Sequence, residues 1–149
     1  LSTARESAYV FDWDRMISFR GNTGPYLQYA TARIRSIFRR AGSDADPDIR
    51  GSRIIAGAAD WAAAERALAL RLLGFGAVVT GVGVTAEPHR LCAYLFEVAS
   101  LFTAFYEECP VLKAEPETVR ASRLALCALT LRVLVTGLDL LGVPVPERM

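Results

Sequence analysis

The chain has 149 residues, 52% of them hydrophobic, and a net charge of only +1. That is enough apolar material for one core and one domain over 1–149, and too little charge for whole-molecule electrostatics to point to a nucleic acid. No signal peptide opens the sequence, and the nearest approach to a bilayer-spanning run, residues 124–141, is broken by Arg132 and Asp139, so no membrane partner is expected.

In chain order, residues 7–19 carry Tyr9, Phe11, Trp13, Met16 and Ile17 and predict an aromatic-rich helix. A short turn leads into a second helix over 26–41, with Asn22 or Thr23 as N-cap, Pro25 in the first turn and Gly42 as the stop. Residues 43–48 form a polar loop, extended before Pro47. The alanine density of 52–73 favours helix. Residues 74–85 hold four glycines among β-branched residues. A short, weak helix is predicted there, because an isolated strand would have nothing to pair with. Glu87-Pro88 opens a helix with Leu91, Leu95, Val98, Phe102 and Phe105 on one stripe. Glu115-Pro116-Glu117 opens the last, which runs to Leu141, is apolar nearly all round, and should be the most buried element. The sum is an all-α fold, a bundle of about five to seven helices.

The 26–41 helix has the chemistry worth attention. At about 100° per residue, Leu27, Ala30, Ile34, Ile37, Phe38 and Ala41 form the core face. Tyr26, Tyr29, Arg33, Ser36 and Arg40 form a second arc, centred about 110° from the first. Gln28, Arg35 and Arg39 point outward on this wheel. A tyrosine one turn before an arginine sets a π face beside a planar cation, an arrangement suited to an unstacked RNA base. The plainer reading is a tyrosine half-buried at the core edge beside solvated arginines. Arg50 and Arg53 extend the basic cluster, diluted by Asp44, Asp46 and Asp48.

Other candidates are weaker. Cys92, Cys109 and Cys127 are scattered and read as reduced core thiols. His89 is the only histidine, so neither a zinc site nor a nucleophile triad can be assembled around it. The Gly-x-Gly spacing at 74–83 lacks the Lys-Ser/Thr of a phosphate loop. Glu107 and Glu108 read as a solvated helix end. No catalytic residue and no metal ligand is assigned.

The run Gly21-Asn22-Thr23-Gly24-Pro25-Tyr26-Leu27-Gln28-Tyr29-Ala30-Thr31-Ala32-Arg33, continuing to Gly42, resembles the helix with which arginyl-tRNA synthetases hold the anticodon stem-loop. Tyr9-Val10-Phe11-Asp12-Trp13 resembles the stretch preceding that helix. Glu87-Pro88-His89-Arg90-Leu91, Phe102-Thr103-Ala104-Phe105-Tyr106-Glu107, Arg120-Ala121-Ser122-Arg123-Leu124 and Gly137-Leu138-Asp139-Leu140-Leu141 resemble the later helices. Pro144-Val145-Pro146-Glu147-Arg148-Met149 is similar to the family's ending. The likeness covers nearly the whole chain, although the Asp-Ala-Leu-Arg string that gives the DALR-type domain its name is absent, and relatives usually place a proline and acidic helix formers where this chain has its glycines.

The resemblance implies the C-terminal anticodon-binding domain of a longer class I synthetase, and Leu1 lies close to where that domain begins. It implies that Tyr29 and Arg33 face the anticodon loop and that Met149 packs on anticodon nucleotides. Tyr26, Gln28, Arg35, Arg39 and Arg40 are the further candidates, for contacts to the RNA backbone. The implied partners are the tRNA-Arg anticodon stem-loop and the catalytic domain of the same parent chain, in a monomeric, cytoplasmic enzyme. Neither His-x-Gly-His nor a Lys-Met-Ser-Lys-like signature occurs, so this segment is expected to be non-catalytic and without a cofactor, with ATP and magnesium belonging to the parent. Two alternatives stand beside this reading: a synthetase-like paralogue binding another RNA or a protein, and a purely structural helical module.

Overall fold

The computed structural model describes residues 21–42 and 61–147 and, before them, 3–4, 7–8, 10 and 12–18, the side chain of Arg15 excepted. The polar loop at 43–48, the first part of the 52–73 helix, Arg50, Arg53 and Met149 lie outside the described residues. Among those described there is no strand. Helix α1 is Trp13–Met16, α2 Gly24–Arg40, α3 Ala63–Leu73, α4 Phe75–Thr85, α5 Pro88–Glu108 and α6 Glu117–Leu140. Since α1 is one turn and Ala63–Thr85 runs as one rod through Gly74, the long rods among the described residues number four, fewer than the five to seven expected.

The predicted helix over 7–19 shrinks to α1. Val10, Trp13 and Ile17 are 82%, 69% and 60% exposed, so these three form no buried inner face. Without that packing, β-branched and aromatic residues do not repay the cost of helix nucleation.

Helix α5 is the centre of the bundle, packing on α2, α3, α4 and α6. Its predicted stripe of Leu91, Leu95, Val98, Phe102 and Phe105 is buried throughout. Helix α6 is buried on most of its circumference, from Ser122 to Leu138. Its Gly137 allows close approach to α5, since a Cβ there would lie 2.5 Å from Leu95 Cδ2.

The glycine-rich segment is helical as expected, and none of α4 is fully buried. Phe75, Val78, Val79 and Val82 rest partly on the core, while Ala77, Thr80, Gly81 and Val84 are exposed. The rod breaks step at Gly74, whose N–H donates to Arg71 O at 3.0 Å. Tyr94 Oη donates to the same carbonyl (2.8 Å), and the Arg71 guanidinium lies 4.3 Å from the Tyr94 ring centroid. Burial raises the Tyr94 phenol above its ordinary value, with Arg71 opposing.

The expectation about membrane-spanning runs is corrected by the helix lengths. By length and composition alone both Ala63–Thr85 and Glu117–Leu140 reach what a bilayer crossing requires. Residues 67–84 carry a single charge, Arg71, and the run is masked in the sequence because its glycines look like loop. Glu117–Leu140 is a core helix, with 56% of its apolar window buried, whereas Ala63–Thr85 leans on α5 with only 11% of its window buried.

A buried ion pair joins three parts of the fold. Glu65, in the first turn of α3, accepts from the Ala62 N–H (3.1 Å), from Arg123 Nε (2.8 Å) and from Arg123 Nη2 (3.2 Å). Arg123, on α6, also donates to Pro110 O in the α5–α6 connection.

Candidate functional site

Helix α2 begins as its sequence predicts. Thr23 is the N-cap, its Oγ1 accepting from the Tyr26 N–H at 3.3 Å and donating to Ser18 O at 2.6 Å. Pro25 lies in the first turn, and Gly42 leaves the helix at φ +88°, a conformation glycine adopts without strain. Leu27, Ala30, Ile34, Ile37 and Phe38 are buried on the core side, together with Thr31 and Ala32. Ala41 is exposed, because it caps the helix just beyond the packed turns.

The second arc is divided by its contact with α5. The Tyr26 ring packs on Phe96 with centroids 5.4 Å apart, as the plainer reading of a core-edge tyrosine would have it. Arg33 crosses to α5 and lies 4.8 Å over the Tyr106 ring, which stacks in turn on Phe102. The ring that meets the guanidinium is thus on another helix and not one turn back on its own. Tyr29 is 48% exposed, Arg40 is exposed and Arg39 half-buried.

Gln28 and Arg35 do not simply point outward. Gln28 Nε2 donates to Pro144 O at 2.7 Å, and Arg35 Nη1 donates to Pro146 O at 2.8 Å. The tail reaches them through the end of α6. The Val143 N–H bonds Leu138 O, the Gly142 N–H bonds Asp139 O, and Gly142 takes φ +70°, a Schellman turn that redirects the chain. Val143 and Val145 then rest against the core. Helix α2 is therefore flanked by α5 on one side and the tail on the other, with Tyr29 and Arg40 between them by helical rotation. Sequence reasoning had no signal for the pairing of Gln28 and Arg35 with carbonyls more than a hundred residues away.

The three cysteines are buried and free, as expected of core thiols, and burial pushes Cys127 up to about 12. His89 is half-buried in the first turn of α5, and Glu107 and Glu108 are exposed at its end. The described residues hold no group of three His, Cys, Asp or Glu able to take a metal ion. Among the described residues of this arrangement no nucleophile is paired with a base; what they offer is a partly exposed tyrosine and cations along one helix.

Comparison with known proteins places these features. The chain is 61% identical to the arginine–tRNA ligase of Thermobifida fusca (strain YX) over 149 residues, which is 100% of this chain and 25% of that protein. Among solved structures, it is similar to Thermus thermophilus arginyl-tRNA synthetase, with TM-score 0.74 and 43% identity over 89% of this chain and 22% of that one. Arginyl-tRNA synthetase from Plasmodium falciparum gives TM-score 0.79 and 29% identity, covering 99% of this chain and 25% of that one. The chain thus spans about a quarter of the length of these relatives. The profile of the DALR anticodon binding domain matches residues 27–149, which include most of α2, both its flanks and the tail. The chain belongs to the DALR anticodon-binding domain family.

Proposed function

We propose that this chain binds the anticodon stem-loop of tRNA-Arg as the C-terminal domain of an arginine–tRNA ligase, holding the tRNA for arginylation by the rest of a monomeric, cytoplasmic parent. The observation that carries this reading is the unbroken 61% identity over 149 residues to an arginine–tRNA ligase. The geometry agrees with it. Tyr29 is 48% exposed on α2, and Arg33, Arg39 and Arg40 follow on the next turns. A guanidinium lying against an aromatic ring keeps its N–H donors at its edge, where a base or phosphate can accept them. Tyr26 supports this surface from the α5 side, and Met149 is assigned to the anticodon nucleotides on the family likeness.

ATP and magnesium do not fit the residues present. The sequence has one histidine and one lysine, and neither nucleotide-binding signature of a class I synthetase. Activation of arginine is assigned to the parent's other three quarters.

Equilibrium binding to tRNA-Arg against a non-cognate tRNA is the primary test. Tyr29→Ala is expected to lose about 1–3 kcal/mol if one base stacks on the ring. Arg33→Ala should flatten the preference among anticodon-loop variants, with circular dichroism confirming that the bundle folds without the Arg33–Tyr106 pairing. Deleting Met149 should weaken the same preference. Folded variants that all keep the parent's preference would move the site elsewhere and favour a paralogue with another ligand.

A further inference from the structure

The tail after α6 is bound by side chains from α2, and its path is ordered along that helix. Gln28 holds Pro144 O and Arg35 holds Pro146 O, so tail and helix run in the same direction. Gln28 and Arg35 are two turns apart on one face, a rise of about 10 Å. Two prolines favour an extended backbone and remove N–H donors that would need partners of their own. Val143 and Val145 anchor the opposite side of the strip on the core. Position, direction and depth of residues 143–146 are each set by a named contact.

Resting on the RNA-binding reading above, we propose that Gln28 and Arg35 are positioning residues: they strap the tail along α2 so that helix and tail together form one RNA-binding surface. In this arrangement their effect on RNA passes through the tail. Tyr29, Arg33 and Arg40 belong to the helix wall of the surface, and residues 143–147 to the tail wall. The strap exists before RNA arrives, so the tail does not have to be ordered at the moment of binding, and affinity gains by that preorganisation.

The test has two readouts in the full chain. A nitroxide on Glu147→Cys reports tail mobility without RNA; the three native cysteines are buried and do not compete for the label. Arg35→Gln, and more so Gln28→Ala with Arg35→Gln, should shorten the label's correlation time several-fold while circular dichroism stays unchanged. The second readout is tRNA-Arg affinity in a double-mutant cycle against removal of residues 144–149. Arg35→Gln should weaken binding about tenfold with the tail present and less than twofold without it, because coupled residues are not additive. An equal loss in both backgrounds, with a shallower salt slope, would make Arg35 a direct phosphate ligand and overturn the proposal, as would an unchanged nitroxide spectrum. A parent chain that binds no tRNA at all would instead overturn the RNA reading, and this surface with it.

Discussion

Arg123 and Glu65 show how much can hang on one pair of side chains. Both are nearly sequestered from solvent, with 15% and 9% of their side chains exposed, and the pair ties the start of α3 to α6 and to the α5–α6 connection. Removing one partner strands the other charge. Glu65→Ala is expected to cost about 3–5 kcal/mol, the usual penalty for breaking a buried pair, as read from urea denaturation. The hydrogen bond that Arg123 donates to Glu65 raises the guanidinium further above its already high value, so that side of the pair adds no pH dependence near neutrality. Cys127 behaves differently. Its thiol is raised by burial from about 9 to about 12, so the folded chain holds a proton that the unfolded chain releases above pH 9. Its contribution is complete below pH 9 and declines as pH rises toward 12. A Cys127→Ala variant should start less stable than the parent, yet lose less stability between about pH 9 and 11, which denaturation at several pH values will show.

Glycines separate the helices by what surrounds them. In α4 a Cβ at Gly81 would meet nothing within 4 Å, so Gly81→Ala should stabilise the fold by up to about 1 kcal/mol, the helix propensity difference. In α6 a Cβ at Gly137 would fall 2.5 and 2.8 Å from the two Leu95 methyls. Gly137→Ala should therefore destabilise by about 1–3 kcal/mol despite the better propensity; thermal melts of the two variants should shift in opposite directions. The contrast also marks what a sequence can and cannot reveal. The stripes of α2 and α5 are readable because burial repeats every three or four residues and the caps at Thr23, Pro25 and Pro88 are local. Helix α1 is shorter than its sequence suggests because Val10, Trp13 and Ile17 look like part of a core face but stay largely exposed. The Glu65–Arg123 pair, the Arg33–Tyr106 contact and the Gln28 and Arg35 bonds to the tail join residues 58 to 116 positions apart, or lie on separate helices, and no local pattern encodes them. At the site, family likeness points to α2 as a whole; only the packing distinguishes Arg33 against a ring from Arg35 against a backbone carbonyl.

Across the whole molecule, a net charge of +1 means that, on the proposed reading, attraction to RNA has to come from where the arginines stand and not from their excess. Arg39 and Arg40 close the last turn of α2, where they also offset the helix dipole. If they reach phosphates, Arg39→Ala with Arg40→Ala should weaken all tRNAs alike and flatten the log–log salt dependence by about 0.7 for each phosphate no longer neutralised. Titrations between low and physiological salt will measure it, and an unchanged slope would take both residues out of the interface. The strap adds a constraint in time. Gln28 and Arg35 close on carbonyls that are made 116 and 111 residues later. At about 5–20 residues per second, a translating ribosome leaves α2 without that flank for on the order of ten seconds. On the proposed reading, a nascent chain in that interval carries α2 without its tail wall and is expected to hold RNA less tightly than a chain that carries both.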